Sequence, residues 1–231
     1  MKKRFLILLA LVSTCIFLAG NAFAVSYTFN DNTINWPGFD ISPNDEIGTP
    51  HVGAMTVVVD DDGYLSSVSI EVENRRIFDS LFINTRWSGY NEDGSYADDW
   101  QDWDYMVRDA EPADAGFDGA QSDIATGLYA LADYEYTYAP QGRTGHANGV
   151  TADSVGDAIS DMAGLISYDG ALLVYDLSSF EILVGGNFLI GYAPWCANDM
   201  QLGGAVPEPA TFALLGLGLI GLAGITRRKT A

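Results

Sequence analysis

The sequence predicts an all-β chain, an antiparallel β-sandwich of which the jelly roll is one form, flanked at each end by an apolar segment. Three observations point there. Runs rich in β-branched and aromatic residues recur along the chain, turn residues punctuate them, and almost nothing between them has the composition of a helix.

Val52 to Val59 and Tyr64 to Val72 are the clearest pair of strands, joined by Asp60-Asp61-Asp62-Gly63, which is turn chemistry. In the second run Leu65, Ser67, Ser69 and Glu71 alternate with Ser66, Val68, Ile70 and Val72, the period-two pattern of a half-buried strand. Ile77 to Asn84, Asp104 to Arg108 and Tyr129 to Tyr138 read as further strands. Met162 to Tyr168 and Ala171 to Leu177, around Asp169-Gly170, form a second hairpin signal, and Asn187 to Tyr192 a closing strand. The one helical candidate is Ser154 to Ser160, which Gly156 weakens.

At the N-terminus, Lys2, Lys3 and Arg4 precede an apolar run from Phe5 to Leu18 that leads to Ala22-Phe23-Ala24. Charge, short apolar core and small-x-small triplet in that order make residues 1–24 a secretory signal peptide, handled by the general secretion machinery. Cys15 lies inside the apolar core behind Thr14, the wrong setting for a lipoprotein cysteine. At the C-terminus, Val206-Pro207-Glu208-Pro209 opens a segment whose apolar stretch, Ala210 to Ile225, is followed by Arg227, Arg228 and Lys229. That pattern predicts a membrane helix over about 210–226 with its basic end in the cytoplasm. The organisation expected is therefore signal peptide 1–24, β-sandwich 25–203 and membrane segment 204–231.

Pro207-Glu208-Pro209, apolar helix and Arg227-Arg228-Lys229, in that order, resemble the PEP-CTERM sorting segment of Gram-negative bacteria. The resemblance implies an exported protein that is anchored transiently in the inner membrane, cut by an exosortase and left at the cell surface or in an extracellular matrix among exopolysaccharide. Trp195-Cys196-Ala197-Asn198-Asp199, after a closing strand, resembles a stretch that recurs in secreted PEP-CTERM β-domains of unknown function. Neither resemblance implies an activity.

The whole chain holds 31 acidic and 11 basic residues. The ends carry six of the bases (Lys2, Lys3, Arg4, Arg227, Arg228, Lys229) and Glu208, so 30 acids face five bases between Val25 and Val206, a formal charge near −25. That excess repels phosphate backbones and excludes nucleic acid as a partner, while divalent cations are natural counterions. Cys196 alone survives in the mature region, so no intrachain disulfide is expected, and a buried apolar role suits it.

The densest polar-aromatic stretch runs from Trp87 to Tyr105. Exposed indoles beside carboxylates can stack on sugar rings, which makes Trp87, Trp100 and Trp103 carbohydrate candidates. Alternatively Asn91, Asp93, Asp98, Asp99, Asp102 and Asp104 gather oxygen ligands for Ca²⁺. Gly89 stands where an EF-hand's first ligand belongs, so any such site is a looser loop. A solvated acidic connection between strands accounts for the same residues without a ligand, as a hairpin turn accounts for Asp60, Asp61 and Asp62.

Catalytic signals are thin. His51 and His146 have no metal-ligand spacing, no nucleophile elbow or phosphate loop occurs, and Gly142 to Gly149, with Arg143 and His146, reads as a long turn. The expectation is a non-enzymatic surface or matrix protein contacting exopolysaccharide with Ca²⁺. A polysaccharide hydrolase using a carboxylate pair and a purely structural matrix component are its alternatives.

Overall fold

The computed structural model describes residues 24–31, 33–39, 41, 45–46, 51–73, 79–110, 124–138, 146–184 and 186–206. The signal peptide and the C-terminal membrane helix expected from the sequence lie outside these residues but for Ala24. Twelve strands are described: β1 (Val25–Phe29), β2 (Val52–Val59), β3 (Leu65–Val72), β4 (Asp79–Asn84), β5 (Tyr105–Asp109), β6 (Gly127–Ala130), β7 (Tyr136–Tyr138), β8 (Ala147–Val150), β9 (Ile166–Tyr168), β10 (Leu172–Asp176), β11 (Phe188–Pro194) and β12 (Gln201–Ala205). The only helical turns among the described residues are two short 3-10 segments, Asp98–Gln101 and Ala152–Ser154.

Two five-stranded antiparallel sheets form the sandwich, with strand orders β1-β2-β3-β10-β9 and β12-β11-β4-β5-β6, while β7 and β8 pair separately. The chain lays three strands in the first sheet and three in the second, then returns two to each. Consecutive strands mostly stay within one sheet, whereas most steps of a jelly roll cross between sheets. The β2–β3 turn forms as its acids dictate: Asp60 Oδ1 accepts hydrogen bonds from the backbone N–H of Asp62 (3.0 Å) and Tyr64 (2.8 Å). Pairing of β9 with β10 makes the second expected hairpin.

Between the sheets lies an aliphatic core. Met55, Val57, Val68, Ile70, Leu173 and Tyr175 of the first sheet meet Leu81, Ile83, Val107, Phe188, Ile190 and Tyr192 of the second. Each such aliphatic side chain, fully buried, contributes about 1.5–3 kcal/mol. The first sheet turns Thr28, Thr56, Ser67 and Ser69 outward to water, so its strands alternate. By contrast every residue of β4 and of β11 is buried. The second sheet has a further apolar layer behind it, where Phe82, Met106, Leu189 and Leu202 contact Trp36, Trp87, Trp100, Trp103 and residues of β8. Gly191 admits that layer: a Cβ there would sit 2.6 Å from the Trp36 ring.

The structure redraws four expected elements. Tyr129 to Tyr138 divides into β6 and β7: the Leu131 N–H to Asp104 carbonyl bond (2.8 Å) is the last rung of the β5–β6 ladder, and Tyr136–Tyr138 pairs with β8 instead. The helix expected at Ser154 to Ser160 does not form: a 3-10 turn, Ala152–Ser154, ends where it should begin, and Ile159 and Ser160 bond to Leu128 at the β6 edge instead. Within Gly142 to Gly149, residues from Ala147 onward begin β8, a buried strand, and His146 is buried. β12 runs to Ala205, past the boundary drawn at 203.

Candidate functional site

Segment 85–104 connects β4 to β5, and its carboxylates are occupied in shaping it. Asp104 Oδ2 accepts from the Thr85 N–H (2.8 Å) and hydroxyl (2.6 Å), and its Oδ1 accepts from the Arg86 guanidinium (2.5 Å). Partial burial pushes the Asp104 carboxyl up, but these hydrogen bonds and the Arg86 charge outweigh it and hold it below the ordinary carboxylate value. Asp99 Oδ2 accepts from the Ser88 N–H (2.9 Å) and hydroxyl (2.6 Å). At the tip, Asp93 Oδ1 accepts from the Ser95 hydroxyl (2.6 Å) and N–H (2.9 Å), which lowers its pKa, and Asn91 Nδ2 donates to Ser95 Oγ (3.0 Å) and the Tyr96 carbonyl (3.1 Å). Asp98 and Asp102 are exposed at the ends of the 3-10 turn. Among the described residues no three His, Cys, Asp or Glu side chains converge so as to hold a metal ion.

The three tryptophans singled out from the sequence are interior. Trp87 is 1% exposed, Trp100 6% and Trp103 2%, so none offers an open face on which a sugar ring could stack. Trp36, which sequence reasoning passed over, stacks on Trp100 (5.8 Å between ring centroids, 23°) and tilts against Trp103 (5.7 Å). Two indole donors inside the layer are satisfied, Trp36 Nε1 by the Ala147 carbonyl (2.6 Å) and Trp103 Nε1 by Tyr136 Oη (2.8 Å), whereas buried Trp87 Nε1 has no hydrogen-bond partner among the described residues. The exposed aromatic of the segment is Tyr90, edge-on to Trp87 at 4.7 Å.

A second polar group, also missed from the sequence, is buried where β4, β5 and β8 meet. Arg108 donates to Ser80 Oγ (3.0 Å), Ser80 Oγ donates to the Asn148 carbonyl (2.8 Å), and Asn148 Nδ2 donates to the Trp195 carbonyl (2.6 Å). Burial lowers the Arg108 pKa to about 10 against the opposing pull of Asp79 and Asp109, both buried. Nearby in sequence, His146 Nε2 lies 2.7 Å from Asp45 Oδ2, and both side chains are shielded from water. Charges at Asp79, Arg108 and Asp109, beside the apolar runs of β4 and β5, were the available signal, but the partner strand β8 that helps bury them was read as part of a long turn.

The observation that bears on function is where β12 stops. It pairs with β11 through Phe188↔Ala205, and only Val206 follows among the described residues. Residues 205–229 match the PEP-CTERM protein-sorting motif. Pro207, Glu208, Pro209, Arg227, Arg228 and Lys229 fall within the match and outside the described residues. The PEP-CTERM motif implies a secreted protein processed at the membrane, with an exosortase as the processing partner. No curated protein and no solved structure matches the chain. Among the described residues no helix is long and apolar enough to cross a membrane.

Proposed function

We propose that the chain is an exosortase-processed protein delivered to the cell surface or extracellular matrix, where its β-sandwich serves a structural, non-enzymatic role. The observation that supports this reading best is the employment of the 85–104 segment's chemistry within the fold. Trp87, Trp100 and Trp103 build the interior, while Asp93, Asp99 and Asp104 hold backbone and side-chain donors of their own segment.

Contact with exopolysaccharide organised by Ca²⁺ is the competing binding reading, and it would draw on the exposed Asp98 and Asp102. A polysaccharide hydrolase needs two carboxylates facing a substrate groove. Asp79 and Asp109, the acids flanking Arg108, are buried away from any such substrate.

Two measurements test the proposal. In cells making the full chain, the parent reaches the surface or matrix fraction, whereas a chain lacking Pro207 to Pro209 stays with the inner membrane. Thermal unfolding of the released protein gives one midpoint in EDTA and in millimolar Ca²⁺. A Ca²⁺-dependent rise that disappears in an Asp98→Asn, Asp102→Asn variant would replace the structural reading with the calcium-organised one, since a ligand of the folded state must raise the midpoint.

A further inference from the structure

The antiparallel order of the second sheet brings the C-terminal ends of β12 and β4 and the N-terminal ends of β11 and β5 to one end of the sandwich. The 85–104 segment and the start of the sorting motif therefore share that end. They touch: a Cβ on Gly204 would lie 2.2 Å from the Trp87 ring, one on Gly89 would lie 3.2 Å from Val206 Cγ2, and Asn187 Nδ2 donates to the Ser88 carbonyl at 3.4 Å. No spacer separates domain and motif, because Ala205, the first matched residue, is buried and paired in the sheet. At about 3.4 Å per extended residue, Pro207 stands at most ~7 Å from Ala205 and Ala210, where the apolar stretch begins, at most ~17 Å.

We infer that the Ser88–Tyr96 hairpin together with Val206 is a docking surface for the membrane-embedded protease that processes the motif, a contact additional to the motif itself. This rests on the sorting reading above. An enzyme reaching residues 207–209 has to work at most ~14 Å from Ala205, at the hairpin's end of the sandwich. What it meets there suits a protein partner: Val206, 47% exposed, lies against Gly89, and the next residue, Tyr90, is 48% exposed and precedes Asn91, Glu92 and Asp93. Tyrosine in such a setting is a common anchor of protein interfaces. The acids, with no lysine or arginine between Trp87 and Gln101, repel an anionic lipid surface and favour the protein over the bilayer. The ring is also held ready, since Tyr90 bridges Tyr96 across the hairpin and rests edge-on against buried Trp87.

The test is pulse-chase processing of the full-length chain in its exosortase-bearing host. Three variants are compared with the parent: Tyr90→Ala, Glu92→Arg at the exposed tip, and a Gly/Ser spacer of about eight residues, on the order of 16 Å, between Val206 and Pro207. Each is expected to slow conversion of precursor to product several-fold, while the unfolding midpoint of the released Glu92→Arg protein equals the parent's. Should Tyr90→Ala unfold the hairpin, Glu92→Arg and the spacer decide alone. Parental rates in those two variants, with processing still abolished by deletion of Pro207 to Pro209, overturn the docking surface and leave the sorting reading intact. Processing that survives that deletion sinks the sorting reading itself. Binding of the released parent, but not Tyr90→Ala, to vesicles of phosphatidylethanolamine and phosphatidylglycerol would reassign the surface to lipid and overturn the inference.

Discussion

The two sheets of the sandwich solve different problems. In the first, β2 and β3 bury every second side chain and leave threonine and serine to water. In the second, β4 and β11 bury every side chain, because a layer of indole and phenol rings covers the face that would otherwise be wet. A sheet with one dry face depends on its alternation, whereas a sheet with two depends on what lies over it. The second sheet's stability is therefore held largely by residues outside its own strands.

Removing that cover should give the largest effect. Trp103→Ala deletes a ring that contacts Trp36, Trp100 and Phe82 and leaves Tyr136 Oη without its donor, so a loss of about 3–5 kcal/mol is expected in denaturant unfolding. A loss near that of an exposed aromatic would show that the layer is dispensable and break the comparison. Gly191→Val tests the same contact from the strand side. With no room between β11 and the Trp36 ring, overpacking should cost about 1–3 kcal/mol, measured as a fall in the urea midpoint at unchanged slope.

Asp104 sharpens the contrast at the border of the two layers. Its folded carboxyl lies below the ordinary value of 3.8, so its stabilisation is complete above the unfolded-state pKa and is lost as pH falls through the folded one. Asp104→Asn should flatten the acid limb of stability against pH, and an acid limb identical to the parent's would remove Asp104 from it. The smallest effect belongs to the first sheet's wet face, where Ser67→Ala should change stability by no more than about 0.5 kcal/mol.

The same difference decided what could be read from the sequence. β2, β3 and their aspartate turn were legible because alternation and turn chemistry are local properties. β12 was hidden by Gly203 and Gly204, which look like a breaker until Phe29 and Trp87 are seen to fill the space a side chain would need. β8 was hidden behind glycines and a histidine, and its burial depends on strands from elsewhere in the chain. The tryptophans of the 85–104 segment illustrate the limit most directly. Acidic neighbours suggested exposure, but buried Trp87, Trp100 and Trp103 sit among exposed residues such as Ser88, Gln101 and Asp102, and nothing local shows which side the rings take. The sorting motif, by contrast, is a linear signal and was fully visible.

The first and last strands of the domain also meet. Gly203 lies against the Phe29 ring, and Gln201 Nε2 donates to the carbonyls of Phe29 (3.3 Å) and Asn30 (3.0 Å). For a chain that emerges N-terminus first, from a ribosome or an export channel, β1 can pair with β2 early, but its contacts with β12 have to wait for residues 201–205. Closure of the sandwich is thereby tied to completion of transit, and the interval spent open to proteases lengthens with any delay in delivering the tail.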